Sequence, residues 1–182
     1  MFVNAPDTRK QERLRALVED PRRRRFWAAR SRRRQAVVAL ALVTIVASAA
    51  FAVSIGVEPP YTPLLMGVFV VFLLGTMVLG TQLNVAARWV VGYEGVDEFQ
   101  RSEMDRATLL GHHVTAALLA LLVAVTCGFG GWSVGGGLPT DVAFMVLVPL
   151  VLVTAMCHAV FPACYLAWTR PDEILQEEDE KE

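Results

Sequence analysis

Four long stretches of the sequence contain no Asp, Glu, Lys or Arg. They are residues 36–57, 61–87, 109–140 and 142–169. A helix of about 20 apolar residues crosses the roughly 30 Å hydrocarbon core of a bilayer, so each stretch is long enough to span one. A transmembrane barrel would alternate polar and apolar residues, and these stretches do not. The pattern therefore predicts an all-α integral membrane protein built as a four-helix transmembrane bundle.

The chain divides around these stretches. We assign residues 1–35 to a basic N-terminal segment, 36–169 to the transmembrane domain and 170–182 to an acidic tail. The expected spans cover about 36–57, 63–87, 109–132 and 142–168, with a connecting loop at 88–108. We expect the second span to leave the bilayer near Ala87 and to continue briefly as a helix along the interface.

The basic residues predict how the spans are oriented. Of the 17 Lys and Arg residues, 12 precede the first span, 3 lie in the loop at 88–108 and 2 follow the fourth span. The positive-inside rule then places both termini and this loop in the cytoplasm. The first span is longer than a signal-peptide core and follows a long polar segment, so cleavage is not expected. Arg is far commoner than Lys, which is typical of a high-GC bacterium and indicates a bacterial plasma membrane.

The N-terminal segment carries the candidate membrane surface. Residues 8–19 have helical apolar spacing, with Asp7 as a potential N-cap and Pro21 as a stop, which predicts a short amphipathic helix. Arginines and two aromatic residues follow, and each cation near anionic headgroups contributes about 1 kcal/mol. The candidate membrane-surface residues are Arg22, Arg23, Arg24, Arg25, Phe26, Trp27, Arg30, Arg32, Arg33 and Arg34. A simpler interpretation makes them only the topogenic signal, and lipid contact disfavours a nucleic-acid partner.

A charged helix is predicted immediately before the third span. Asp97 is a suitable N-cap, and Asp97 and Arg101 are spaced four residues apart, as in helical ion pairs. We expect this helix to run straight into the span. Such an acidic DEFQR helix next to a membrane span, in a chain of this size, resembles uncharacterised small multi-pass membrane proteins of bacteria. The resemblance covers residues 96–123 and implies the architecture without implying an activity.

A stripe of small residues follows the third span. Its members recur every four residues, which forms a smooth helix surface that a neighbouring backbone can approach closely. They are the candidate helix-packing residues Ala116, Ala120, Ala124 and Gly128. We expect the stripe to pack against another span of the same chain, and a second protein is the alternative.

A polar layer is predicted near the middle of the bilayer. His158 lies about 15 Å from Trp168, the inner end of the fourth span, and equal distances along the other spans reach Thr44, Ser48 and Thr76. An ionisable residue at such depth is usually interior, paired or functional. We expect a buried, neutral His158 that hydrogen-bonds one of these hydroxyls.

His158 also has two other interpretations, a proton relay or haem ligand and a metal ligand beside Cys157. His112 and His113 are expected at the mouth of the third span, about 15 Å from His158, which disfavours haem held by two histidines. Cys157 and His158 point about 100° apart on a helix, which makes a poor metal pair. We therefore predict no cofactor and no metal.

Catalytic patterns do not stand out in this sequence. No serine lies in a nucleophile-elbow context, and no carboxylate pair lies within the spans. Whether the protein is an enzyme stays uncertain, and a non-enzymatic role is favoured. We expect an accessory, assembly or regulatory subunit of a bacterial plasma-membrane complex, bound to a protein partner or to copies of itself. The alternatives are a small transporter or channel and a haem- or quinone-binding redox subunit that uses His158.

The charge distribution generates a topology prediction. In a variant without its native cysteines, cysteines introduced at Thr62 and Ser133 should react with an impermeant thiol reagent applied to intact cells. A cysteine at Gln176 should react only after the cells are opened. Labelling of Gln176→Cys from outside would contradict a four-span protein with both ends in the cytoplasm.

Overall fold

The four apolar stretches of the sequence form four long helices. The computed structural model describes residues 8–90, 95, 97–134, 137 and 139–172, and its regular elements there are all helical. The helices are α1 (Thr8–Val18), α2 (Pro21–Trp27), α3 (Arg30–Gly56), α4 (Thr62–Ala86), α5 (Glu98–Val134) and α6 (Thr140–Thr169). Helices α3, α4, α5 and α6 are long and apolar enough to cross a membrane. The predicted all-α bundle with four potential spans is confirmed at this level.

Local signals explain where two of the helices begin. The charged helix and the third span form the single helix α5, as predicted, and the carboxylate of Asp97 accepts a hydrogen bond of 2.6 Å from the amide of Gln100. Asp20 likewise accepts from the amide of Arg22 at 3.0 Å, and Pro21 occupies the first turn of α2. The sequence predicts Pro21 as the end of α1. The same Asp-Pro pair also starts a new helix.

The end of α4 differs from the expectation. The helix does not continue along the interface, because it closes in a Schellman motif in which the Trp89 amide donates to the Asn84 carbonyl at 2.7 Å and the Arg88 amide to the Val85 carbonyl at 3.0 Å. Arg88 has a φ of 56°, in the left-handed region that glycine usually occupies at this position. The chain therefore turns sharply at Arg88.

Three of the long helices pack together as a group, and the fourth packs against one of them. Helices α3, α4 and α6 contact one another, and α5 lies against α6. Small residues permit the close approaches: a Cβ on Gly80 would lie 3.1 Å from Val160, and one on Gly111 would lie 3.2 Å from Pro162. The buried apolar cluster gathers towards the end of the bundle where α3 and α5 begin and α4 and α6 end, and consists of Leu40, Leu83, Ala87, Ala107, Val160, Ala163, Leu166 and Ala167. We call this end the basic end.

Arg33 ties the start of α3 to the end of α6. Its side chain is 4% exposed, and its guanidinium donates to the carbonyls of Trp27 at 2.9 Å, Ala28 at 3.2 Å, Arg170 at 2.9 Å and Pro171. The expectation that Arg33 lies at the membrane surface is therefore wrong. The position of Arg33 on α3 turns its side chain inwards, where the carbonyls at the ends of α2 and α6 lack intrahelical donors.

Arg170 makes the matching connection to the other two helices. Its Nε atom lies 3.1 Å from a carboxylate oxygen of Glu103 on α5, and its Nη1 atom donates to the carbonyl of Ala87 after α4 at 3.1 Å. Arg33 and Arg170 together link the ends of all four long helices. We call this pair the arginine clasp.

The arginine clasp predicts an unequal response of neighbouring arginines. Arg33→Leu should lower the free energy of unfolding by about 3 kcal/mol, because buried carbonyls lose a charged donor. Arg33→Lys should recover only part of this loss, since an ammonium lacks the planar fork of donors. Arg32, which is exposed and donates to the Phe26 carbonyl at 3.3 Å, provides the matched control Arg32→Leu. Equilibrium unfolding in detergent, followed by circular dichroism, measures the difference. Similar losses at positions 32 and 33 would contradict the clasp.

Candidate functional site

A cleft opens at the basic end, where α1 and α2 meet the last turn of α4. It is partly open to solvent and has a cavity volume of about 20 Å³, and its lining includes Arg23, Arg24 and Trp27 from α2 and Arg88 after α4. Apolar side chains, among them Val85, form its floor. Arg23, Trp27 and Arg88 are half-buried and Arg24 is exposed. We call this space the arginine cleft.

Two local structures bring the arginine cleft together. The start of α2 at Pro21 places Arg23, Arg24 and Trp27 within one turn of helix, and the Schellman motif of α4 turns Arg88 towards them. The carboxylate of Asp20 lies 3.8 Å from the Nε atom of Arg23. Sequence reasoning missed Arg88 as a member of this group, because its sequence neighbours show only that it belongs to a basic loop.

The remaining members of the predicted membrane surface divide into two sets. Arg22, Arg25 and Phe26 are exposed, as a lipid-contacting set requires, although contact with lipid stays a prediction. Phe26 also packs edge-on against Trp27 with ring centroids 4.9 Å apart, and the guanidinium of Arg32 lies 5.0 Å from the Phe26 ring.

Arg30 and Arg34 instead reach the end of α6. Their Nε atoms donate to the carbonyl of Trp168 at 3.3 Å and 3.4 Å, and the Arg34 guanidinium lies 4.8 Å from the Trp168 ring. The backbone amide of Arg30 donates to the carboxylate of Asp172. These two arginines therefore bind the protein itself as well as facing its surroundings.

The predicted polar layer is not a hydrogen-bonded network. Thr44 donates to the carbonyl of Leu40 at 2.8 Å, and Thr76 donates to that of Phe72 at 2.9 Å, so each hydroxyl is satisfied within its own helix. The buried hydroxyl of Ser48 has no hydrogen-bond partner in the described structure. His158 is exposed on α6. Our expectation that His158 is buried and bonded to one of these hydroxyls is wrong.

His158 has a different neighbour, His112 of α5. The two ring centroids lie 6.4 Å apart with an angle of 34° between the ring planes, and both side chains are exposed. The expected separation of about 15 Å is wrong, because Glu103 lies level with Arg170 at the end of α6 and places His112 about 13 Å further in. The depth argument against a histidine pair therefore fails.

The stripe of small residues does not pack within the chain. Ala116, Ala120, Ala124 and Gly128 are all exposed, so the expected intramolecular contact is wrong. A Cβ on Gly128 would meet no atom within 4 Å. Helix α5 instead contacts α6 through a second line of small residues, Ala107, Gly111 and Thr115, all of which are buried. Sequence reasoning missed this line because it begins inside the charged part of α5.

Within the described ranges, no three or more His, Cys, Asp or Glu side chains gather into a group that could hold a metal ion. Comparison with known proteins finds no matching family model, no matching curated protein and no matching solved structure. The arginine cleft, the histidine pair and the exposed stripe are therefore the candidate functional features of the described residues.

Proposed function

We propose that this protein is a non-enzymatic accessory subunit of a bacterial plasma-membrane complex, which binds a transmembrane helix of a partner protein through α5. Both termini lie in the cytoplasm in this proposal. The observation that carries it is the exposure of the stripe Ala116, Ala120, Ala124 and Gly128 on the face of α5 turned away from α6.

Packing within the chain does not account for the small size of these residues. Gly128 has open space where a side chain would lie, and the same holds for Gly130 and Gly131. In a bilayer, helices associate by close packing and not by a hydrophobic driving force, so small side chains matter where another backbone approaches. The stripe is about 18 Å long, which is more than half the hydrocarbon thickness and enough to seat one helix.

The basic end supports the proposed orientation and lipid contact. Arg22, Arg25 and Phe26 are exposed beside the start of the first long helix, where cations and aromatic rings suit the inner membrane surface. This contact would anchor the N-terminal segment to anionic headgroups. The stripe would then be the surface that selects the partner protein.

The proposal predicts that enlarging the stripe weakens partner binding without unfolding the subunit. Ala120→Leu and Ala124→Leu should each weaken partner binding by about 1 to 3 kcal/mol through overpacking. Both positions are exposed within the chain, so the free energy of unfolding should be nearly unchanged. Co-purification of the tagged protein in mild detergent, followed by quantitative mass spectrometry, measures the retained partner.

Ala155→Leu is the matched control, because Ala155 is also exposed but lies on α6. It should leave the partner bound. If the same protein is retained equally by all three variants, the stripe is not the docking face. If the purified complex contains only copies of this chain, the partner on the stripe is a second copy. If the protein is a monomer, the transport alternative is favoured.

One observation favours the redox alternative, namely the pairing of His112 with His158. An imidazole nitrogen binds a metal at about 2 Å, so two rings that hold one iron from opposite sides have centroids about 6 Å apart. The observed distance is 6.4 Å. Close packing of Gly111 on Pro162 nearby leaves little room for a macrocycle between α5 and α6, whereas exposed imidazoles could bind a quinone from the lipid.

A visible absorption spectrum of the purified protein tests the haem form of this alternative, and ultraviolet absorbance of an organic extract tests the quinone form. If the histidine pair binds such a group, His112→Leu and His158→Leu should each remove the signal, while His113→Leu should retain it. His113 is a suitable control because its Nδ1 atom lies 2.8 Å from the Leu109 carbonyl on its own helix. Absence of both signals would eliminate the redox alternative.

A further inference from the structure

We propose that the arginine cleft is a binding site for a phosphate group, and that an anionic phospholipid headgroup supplies this phosphate. The proposal goes beyond a diffuse attraction between a basic segment and the membrane. It assigns the binding to one defined group of side chains, namely Arg23, Arg24, Trp27 and Arg88. It depends on the proposed orientation only for the choice of leaflet.

The chemistry of the lining matches a phosphate ester. Each guanidinium presents a planar fork of donors that can bind two phosphate oxygens together, and three arginines line this one cleft. The Asp20 carboxylate lies 3.8 Å from the Nε atom of one of them, Arg23. The tetrahedral oxygens of a phosphate ester can accept from guanidinium groups on more than one helix, so the arrangement favours phosphate over a planar carboxylate.

The position of the arginine cleft favours a lipid as the source. Val85 and Ala86, which form part of its lining, lie in the last turn of α4, a helix that is apolar enough to span a membrane. Arg88 follows this turn, and Arg23 and Arg24 lie on α2. A headgroup phosphate and the adjoining glycerol could therefore contact the arginines and the apolar floor together, with Trp27 at the interface.

Arg88 shows that the arrangement is specific to the folded chain. It lies 61 positions after Trp27 in the sequence and reaches the arginine cleft through a left-handed turn with a φ of 56°. A residue with a side chain is disfavoured in this conformation by about 1 kcal/mol, and glycine is the usual occupant. The sequence nevertheless has arginine there, at the position that completes the group.

Because of this geometry, a single substitution at Arg88 can weaken phosphate binding without destabilising the fold. Arg88→Gly removes the guanidinium and supplies the residue that the turn prefers, so thermal unfolding should occur at the same or a higher temperature. Binding should weaken about fivefold, which corresponds to the contribution of one cation near an anionic lipid. Arg106→Gln is the control, since Arg106 is exposed on α5 and does not line the cleft. It should change binding by less than about twofold, as expected for a screened surface charge.

The measurement is a calorimetric titration of the full chain in dodecyl maltoside with dioctanoyl phosphatidylglycerol. A second titration with inorganic phosphate, and a competition between the two, distinguish the sources of the phosphate. Binding of the lipid that inorganic phosphate does not displace supports a headgroup site. Displacement by inorganic phosphate, with the same sensitivity to Arg88→Gly, supports the phosphate site and assigns it to a free phosphate.

Equal weakening by Arg88→Gly and Arg106→Gln would overturn the proposal, because it would show a diffuse surface attraction. Unchanged binding in Arg88→Gly would overturn it as well. Ala120→Leu serves as the link to the proposed function and should bind phosphatidylglycerol normally. Loss of the partner protein without loss of lipid binding, or the reverse, therefore shows which proposal has failed.

Discussion

The arginine clasp is the interaction on which the arrangement of the four long helices depends. A helix leaves its last carbonyls without intrahelical donors, and this deficit is largest where helix ends are buried against one another. Arg33 donates to carbonyls at the end of α2 and after the end of α6. Arg170 bridges a carbonyl after α4 and the Glu103 carboxylate on α5. A positive charge also suits the carbonyl end of a helix. The clasp therefore holds together helices whose apolar faces have little mutual preference over lipid.

Sequence reasoning identified the spans because their signal is hydrophobicity alone. It assigned the inward faces poorly, since a helix that is apolar on all sides has no polar face to mark its exterior. Ala120 and Ala124 have the size expected of packing residues, yet the chain packs through Ala107 and Gly111 instead. The difference between the two lines is about 150° of helical rotation, and nothing local in the sequence decides it.

Arg33 illustrates a signal that was present and not used. The buried residues of α3 include Arg33, Leu40, Ala47 and Ser54, which follow one another at intervals of seven. A seven-residue interval keeps side chains on nearly the same face of a helix. Extending this seven-residue spacing back from Ser54 through Ala47 and Leu40 singles out Arg33 from its two arginine neighbours. His158 offered no such signal, because its pairing with His112 depends on the register that Gly111 and Pro162 set between helices.

Folding of the chain does not explain the exposed stripe on α5 or the arginine cleft. Among the described residues, helix α5 packs chiefly against α6, through a narrow line of small residues and the Glu103 ion pair with Arg170. A partner helix on the stripe would bind the element that the chain itself secures least. Arg170 also contacts the carbonyl of Ala87, which directly precedes Arg88 of the arginine cleft. Arg170 therefore contacts both the helix that carries the stripe and the turn that carries Arg88.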